Sequence, residues 1–331
     1  MPIIRCAFLN CWNLFPLGAD RCAQQTAQEL DAKVVNLAET LRAMFPVALP
    51  DVIGLCEVGD SALGGRVADA LSNGLYKTLW SGPPPRNETG ILILFNPSAV
   101  LPTLAHLEVG PVLPAPAIGS AGSSSSQRAR WMAAEFQLQI GSRAAFWMVV
   151  CHWKSHFGQG EWMTMSDRMQ SAREIGSLFL RVSTSTANML VMGDLNCEPG
   201  DRPLKSQYVA NADPHKQRPN QLRAFRQHRR VLNDNKKLAY FYNPMWRLMG
   251  EPDHFEVAGR VGYNPPRVMG THGPAVSGGT EWLMFDQLMV SKRMLRGGQM
   301  ILRESSVAPA IALPVQGCSD HCAIGAEFDC A

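Results

Sequence analysis

Short runs of apolar residues, rich in β-branched and aromatic side chains, recur along the chain and predict β-strands. The predicted strands span residues 3–9, 52–56, 91–95, 131–140, 145–151, 189–192, 285–290 and 323–328. Apolar residues spaced three and four apart predict helices over residues 23–45, 65–74 and 168–181. Because strands predominate, the pattern favours a layered α/β sandwich with the helices on the outside.

The length of the chain is compatible with one large core or with two domains. It has 331 residues, 46% of them hydrophobic, and we find no internal repeat. We therefore predict a single domain over residues 1–331. Residues 111–127, which are rich in Pro, Gly and Ser, predict a flexible loop between strands rather than a linker between domains.

The cysteine and hydropathy patterns bear on the cellular compartment. Nine cysteines, an odd number without a Cys-x-x-Cys pair, favour reduced thiols over a disulfide framework or a zinc site. The apolar runs are too short and too interrupted to span a membrane, and residues 1–9 indicate a first strand rather than a signal peptide. We therefore expect a cytoplasmic protein.

Positive charge is concentrated in one segment of the chain. The net charge is +3, but residues 215–237 hold eight Lys and Arg residues against one acid, so the rest carries 23 basic and 27 acidic residues, or −4. We predict a basic insert over residues 202–237. It is either a contact surface for a polyanion or an exposed basic helix.

Polar side chains lie where several of the predicted strands begin or end. These residues are Asn10, Glu57, His152, Asp194 with Asn196, Asp286, and Asp320 with His321. Each alone is explained by a turn or a solvated strand end. Sheets that bring strand ends together would instead gather all of them at one edge.

This mixture of carboxylates, amides and imidazoles suits the hydrolysis of a phosphate ester. Carboxylate and amide oxygens bind a hard cation such as Mg²⁺, which stabilises charge on the phosphoryl oxygens and the leaving group. A carboxylate can orient or deprotonate the attacking water. Histidines, one of them held by a carboxylate, can donate to the charged phosphate.

Six motifs resemble, in chain order, those of the endonuclease/exonuclease/phosphatase superfamily, which includes deoxyribonuclease I and exonuclease III. The motifs are AFLNCWNLF, DVIGLCEV, VVCHWKS, VMGDLNCEP, FDQLMVS and SDHCAI. The resemblance implies a four-layer α/β/β/α sandwich with two mainly antiparallel central sheets. It also implies a phosphodiester hydrolase that depends on Mg²⁺ or Mn²⁺.

The resemblance also implies roles for individual residues. The implied metal site comprises Asn10, Glu57 and Asp320. The implied catalytic residues are His152, Asp194, Asn196, Asp286 and His321. In this interpretation Asp194 orients or deprotonates the water and Asp286 holds His321. Asp194 and Asn196 are two residues apart, so on an extended chain both would point to one face and Asn196 would donate to the phosphate.

The substrate is the least determined feature of the sequence. We predict a nuclease acting on DNA or RNA, because Arg226, Arg229 and Arg230 of the basic insert would contact a polyanion. The alternative is a phosphatase or a phospholipase C-type enzyme acting on inositol phosphates or sphingomyelin, and a third candidate is a catalytically silent binding module. Lys154 either contacts phosphate or lies on a loop surface. The sequence gives no indication of protein partners.

Overall fold

A computed structural model describes the protein over most of its length. The described residues are 1–19, 25–45, 47–82, 89–109, 130–141, 144–155, 161–182, 188–204, 209–212, 239–245, 254–257, 260–263, 283–296, 298–309 and 319–331. The predicted loop 111–127 and most of the predicted basic insert 202–237, including Arg226, Arg229 and Arg230, lie outside these ranges. The structural form of both segments therefore stays a prediction.

Three α-helices lie in the described part of the chain: α1 (Ala27–Ala43), α2 (Ser61–Ser72) and α3 (Glu161–Val182). Side-chain caps determine where the first two begin. Thr26 and Glu29 form a reciprocal capping box at α1, and Asp60 accepts a hydrogen bond from the Leu63 N–H at α2. Because of this cap, α2 begins before the predicted start at residue 65. Within the residues described, none of these helices is long and apolar enough to cross a membrane.

The described part of the chain also contains sixteen strands, numbered here in chain order. They are β1 (Ile3–Leu14), β2 (Val52–Val58), β3 (Lys77–Trp80), β4 (Gly90–Phe95), β5 (Val100–Val109), β6 (Trp131–Leu138), β7 (Ala145–His152), β8 (Asn188–Asp194), β9 (Val209–Ala212), β10 (Ala239–Tyr242), β11 (His254–Val257), β12 (Arg260–Tyr263), β13 (Asp286–Ser291), β14 (Met300–Leu302), β15 (Ala308–Pro309) and β16 (Ile324–Cys330). Every predicted strand corresponds to one of these. The additional strands are mostly four residues or shorter and show little periodicity, and β5 contains Pro102, which argues against a central strand.

Two large sheets account for most of these strands. The first has the order β14-β16-β1-β2-β4-β3, with β15 also paired to β16, and the second has the order β5-β6-β7-β8-β13-β10-β9. Strands β11 and β12 form a separate pair. Pairing is mainly antiparallel, but β1 runs parallel to β2, β7 to β8, and β9 to β10. The position of β5 at a sheet edge explains why its proline is tolerated.

Alternating side chains bury both faces of each sheet. Phe8 packs in an apolar cluster between the two sheets, whereas its neighbour Leu9 packs with Leu37 of α1 on the outer face of the first sheet. On the outer face of the second sheet, Val149 packs in a cluster with Ile175 of α3. Helices therefore cover the outside of two stacked sheets, and the predicted four-layer α/β/β/α sandwich is confirmed.

Gly193 allows β7 and β8 to pair closely at the end of the second sheet. It lies opposite Cys151 in the parallel ladder, next to the pair formed by His152 and Asp194. Its φ angle is 153°, and a Cβ atom there would lie 2.2 Å from the Cys151 carbonyl oxygen. Any side chain at this position would force apart the strands that place His152 beside Asp194.

We predict that Gly193→Ala destabilises the protein by at least about 2 kcal/mol, through an unfavourable φ angle and a clash with backbone atoms. Urea unfolding measures the change. The matched control is Gly65→Ala in α2, where a Cβ would meet no atom within 4 Å. That substitution should instead stabilise the protein by about 0.5–1 kcal/mol. Equal stability of the two variants would contradict the proposed role of Gly193.

Candidate active site

Strand ends from both sheets meet at one edge of the sandwich. The ladders of the second sheet place His152 opposite Asp194 and Asp194 opposite Asp286, so these three residues lie side by side. Asn10 of β1 and Glu57 of β2 extend from the first sheet. The Asn10 Nδ2 atom donates to Asp194 Oδ2 at 3.0 Å, which joins the two sheets through a buried hydrogen bond.

Glu57 is held from three directions. Its Oε1 lies 3.3 Å from Asn10 Nδ2 and 3.3 Å from His152 Nε2, while its Oε2 accepts the Asn13 N–H at 2.8 Å. Burial alone would raise the pKa of Glu57, but the hydrogen bond and charge of His152, with help from His321 and Asn10, lower it to about 2. Glu57 is therefore a permanent carboxylate at neutral pH.

Asp194 lies in a different electrostatic environment, although it shares the Asn10 amide with Glu57. Its Oδ1 accepts the Asn196 N–H at 2.9 Å, and its Oδ2 lies 3.9 Å from His321 Nε2. Burial raises the pKa of Asp194, and the charge of Asp286 adds to this effect, while His321 and His152 oppose it. A raised pKa makes this carboxylate a better proton acceptor than an exposed aspartate.

His321 forms a buried pair with Asp286. Its Nδ1 lies 2.8 Å from Asp286 Oδ2, and its Nε2 lies 3.7 Å from Asp320 Oδ1. Burial would lower the pKa of His321, but the carboxylates of Asp286, Asp194 and Asp320 outweigh it and raise the pKa to about 10. The segment is fixed to β1 through Ser319, whose hydroxyl donates to the Asn10 carbonyl and accepts the His321 N–H.

The backbone conformation that places Asn196 in the site differs from the one that the sequence argument predicts. The prediction that Asp194 and Asn196 share one face of an extended chain is wrong, because β8 ends at Asp194 and Asn196 has a φ of 46°. The two are joined instead by the Asn196 N–H bond to Asp194. Asn196 Nδ2 donates to the Trp153 carbonyl at 3.1 Å. An amide nitrogen has two hydrogens, so a second one stays available to a ligand.

Backbone strain is concentrated at this edge. In the described part of the chain, four non-glycine residues have positive φ angles: Trp12, Asn13, Glu57 and Asn196. Such conformations cost about 1–3 kcal/mol each for ordinary residues and cluster at functional sites. All four belong to the segments that carry or hold Asn10, Glu57 and Asp194.

The donor atoms in this cluster suit a hard divalent cation. Glu57, His152 and Asp194 each offer one atom within 4.8 Å of the others, and so do Asp194, Asp286 and His321. Burial, followed by the charges of Asp194 and Glu57, raises the pKa of the neighbouring Cys56 well above its usual value. Cys56 is therefore a neutral thiol in the metal-free protein, and the carboxylates of the cluster suit Mg²⁺ or Mn²⁺.

The structure brings the predicted metal-site residues into this cluster. Asn10 Oδ1 accepts the Trp12 N–H at 2.9 Å, so its Nδ2 faces the carboxylates of Glu57 and Asp194. The amide oxygen has a second lone pair, so a metal-binding role for Asn10 stays a prediction. Asp320 lies beside His321 on the same side of the cluster.

Lys154 lies just after His152 and is supported by an arginine that, from its residue type, is expected to be ion-paired or solvated. Arg168 of α3 is only 2% exposed, and it donates to the Lys154 carbonyl at 3.2 Å and to the Thr164 hydroxyl at 2.9 Å. A signal was present in the sequence: Arg168 is four residues before Ala172 and seven before Ile175, which places it on the apolar face of the helix.

Comparison with known proteins gives a family match over most of the chain. A family model described as Endonuclease/Exonuclease/phosphatase family matches residues 7–321. No curated protein is similar enough to this chain to count as a match.

Three similar solved structures share the fold at low sequence identity. The human Nocturnin catalytic domain with bound sulfate is 16% identical, has a TM-score of 0.56 and covers 100% of this chain and 95% of its own. The D. rerio TDP2 complexed with single-strand DNA product is 12% identical, with a TM-score of 0.55 and coverages of 99% and 100%. The mannosyl-6-phosphatase of Bacteroides thetaiotaomicron is 13% identical, with a TM-score of 0.55 and coverages of 98% and 99%.

We predict strong coupling between Asp286 and His321 in the free energy of unfolding. Each single Ala substitution should cost about 3 kcal/mol, because it removes the hydrogen-bonded, oppositely charged partner of a buried group. The double variant should cost at least about 1 kcal/mol less than the sum. The control is a second double-mutant cycle on the neutral pair Asn243 and Gln287, which is equally buried and joined by a hydrogen bond of 2.8 Å. This cycle should show weaker coupling. Additive losses for Asp286 and His321 would show that the two are not a pair.

Proposed function

We propose that this chain, which belongs to the endonuclease/exonuclease/phosphatase family, hydrolyses phosphodiester bonds of nucleic acid with the help of a divalent metal ion. Members of that family are hydrolases that act as phosphodiesterases or phosphatases, and the family is metal-dependent. The observation that carries the proposal is the buried cluster in which Asn10 joins Glu57 to Asp194, with His152 and His321 beside it.

Mg²⁺ or Mn²⁺ is the cofactor that we assign to this cluster. Glu57 would hold the ion, with Asn10 and Asp320 as further oxygen ligands. When bound, the ion supplies positive charge that stabilises the phosphoryl oxygens and the leaving group.

Asp194 is the residue that we assign to the attacking water. Its two carboxylate oxygens are held by the Asn196 N–H and by Asn10 Nδ2. These bonds fix one orientation of the carboxylate, which can accept a proton from a water molecule placed beside it.

The donors to the phosphate are two imidazoles and one amide. Asp286 accepts from His321 Nδ1, which leaves Nε2 on the side of Asp194, at 3.9 Å from Oδ2. His152 lies on the other side, where its Nε2 is 3.3 Å from Glu57. These groups, with Asn196, flank the position where negative charge would develop, and fixed donors at such a position lower the barrier to reaction.

The choice of nucleic acid over a small phosphate ester rests on charge. The TDP2 structure contains single-strand DNA product and the Bacteroides protein is a mannosyl-6-phosphatase, yet both resemble this chain with a TM-score of 0.55. The fold is therefore compatible with either substrate. The eight positive charges within residues 215–237 favour a polyanion. A phosphatase or phospholipase C-type enzyme acting on inositol phosphates or sphingomyelin is the second candidate.

A cytoplasmic location is also part of the proposal. The seven cysteines within the described ranges are thiols rather than disulfides, and a reducing compartment keeps cysteines in that state.

We predict that the purified protein hydrolyses labelled DNA or RNA, that EDTA abolishes the activity, and that Mg²⁺ or Mn²⁺ restores it. Inositol phosphates and sphingomyelin should be incubated in parallel. Asp194→Asn, with folding checked by circular dichroism, should lower kcat by at least ~10²-fold, as expected when proton transfer is lost. Restoration by Zn²⁺ alone, or full activity in EDTA, would contradict the metal assignment.

We predict that replacing Arg226, Arg229 and Arg230 by Ala weakens binding to all nucleic acid sequences alike. On duplex DNA, log affinity should fall with log salt with a slope of about −0.9 for each phosphate contacted. The triple variant loses up to three such contacts, so its slope should be shallower by the contribution of up to about three phosphates. This slope is measured by salt titration of nucleic acid binding by the Asp194→Asn protein, with and without the triple substitution. Hydrolysis of a small chromogenic phosphodiester by the triple variant should be unchanged.

A charge-matched control separates this effect from a general loss of positive charge. Arg66, Arg181 and Arg303 lie in ion pairs on the surface of the sandwich, and their replacement by Ala removes the same three charges. This control should leave the salt dependence of binding almost unchanged. Equal slopes for both triple variants and the parent would favour the phosphatase candidate.

A further inference from the structure

A left-handed turn interrupts β1 two residues after Asn10. Trp12 and Asn13 follow one another with φ angles of 45° and 57°. Two consecutive non-glycine residues in this region are disfavoured by contacts between Cβ and the backbone, so the turn must be held by its surroundings.

The two N–H groups of this turn point at the active-site cluster. The Trp12 N–H donates to Asn10 Oδ1 at 2.9 Å, and the Asn13 N–H donates to Glu57 Oε2 at 2.8 Å. The first bond turns Asn10 Nδ2 toward Glu57 and Asp194, and the second orients the Glu57 carboxylate. If the turn relaxed to an extended chain, both N–H groups would point elsewhere and both side chains would lose this restraint.

The carbonyl groups of the same turn are held by Lys33. This residue belongs to α1 and is 8% exposed. Its ammonium donates to the Trp12 carbonyl at 2.5 Å and to the Asn13 carbonyl at 3.5 Å, and it lies 5.3 Å from the centre of the Trp12 ring. Two carbonyl oxygens and a cation–π contact thus compensate the burial of a charge in this position.

We propose that Lys33 is a positioning residue for the metal-binding carboxylate Glu57 and for Asn10, acting through the Trp12–Asn13 turn. The ammonium holds the Trp12 carbonyl toward α1, and the Asn13 N–H, which lies in the same trans peptide plane, therefore points the opposite way, to Glu57. The longer contact with the Asn13 carbonyl holds the second residue of the turn, and the conformation of the turn directs the Trp12 N–H to Asn10. The inference rests on the proposed function, because it assigns to Glu57 the binding of a divalent ion.

The test measures the Mn²⁺ affinity of the metal-free chain of 331 residues by calorimetry, together with hydrogen exchange at the Trp12 and Asn13 amides. Lys33→Met, which keeps the apolar length but loses the donor, should weaken Mn²⁺ binding by about 10- to 100-fold, as is typical when a group that orients a metal ligand is lost. It should also accelerate exchange at both amides. Lys33→Arg should recover most of the affinity, because a guanidinium can donate to both carbonyls.

Arg42→Met is the matched control on the same helix. Arg42 also donates to two backbone carbonyls, those of Ala70 and Leu71 at the end of α2, but it does not hold the turn. Its loss should lower stability without changing Mn²⁺ affinity or exchange at Trp12 and Asn13. If Lys33→Met does not fold, Lys33→Gln, which keeps one donor group without the charge, should show a smaller change in the same direction.

Two failures are distinguishable in this experiment. If the parent protein does not bind Mn²⁺, the proposed metal-dependent function is wrong, and the assignment of Lys33 to metal binding falls with it. If the parent binds Mn²⁺ and Lys33→Met binds it equally well, or weakens it no more than Arg42→Met does, the inference about Lys33 is overturned while the proposed function stands.

Discussion

Face-to-face packing of the two sheets is the constraint on which the site depends. Asn10 and Glu57 come from one sheet and Asp194 from the other, so their distances are set by how the sheets stack. Gly54 allows a close approach, because a Cβ atom there would lie 2.7 Å from a methyl group of Val150. This contact lies on β2 and β7 just short of the edge. The core therefore determines the active-site geometry as directly as it determines stability.

The amide nitrogen of Asn10 contacts two carboxylates, those of Glu57 and Asp194, whose pKa values move in opposite directions. Glu57 is partly buried and lies against His152, and its pKa falls to about 2. The pKa of Asp194 rises, because burial and the charge of Asp286 outweigh its imidazole neighbours. When surroundings separate the pKa values of neighbouring acids in this way, the two can take different roles. A fixed anion suits cation binding, and a more basic carboxylate suits proton transfer, which is the division of roles that the proposed mechanism requires.

Sequence reasoning located the candidate site through the places where an apolar run gives way to a polar residue, as at Glu57 and Asp194. It predicted the layered fold because long strands and amphipathic helices have distinct periods. It could not find the Trp12–Asn13 turn, because the groups that act there are backbone N–H atoms, which no residue type reveals. The burial of Lys33 and Arg168 was missed because long basic residues are usually exposed. The spacing of Arg168 from Ala172 and Ile175 does indicate the apolar face of its helix, whereas only the tertiary structure shows that Lys33 is buried.

In the proposed function, attraction of the substrate and chemistry at the metal are physically separable. Without residues 215–237 the remaining sequence has 23 basic and 27 acidic residues, and the cluster at the sheet edge is itself rich in carboxylates. That charge balance opposes the approach of a polyanion, and one bound divalent ion offsets only part of it. A long anionic substrate therefore needs a second source of attraction, and the basic segment is the part of the sequence that can supply it. A small phosphate ester needs the metal site alone, so substrate size becomes the variable that separates a nuclease from a phosphatase on this fold.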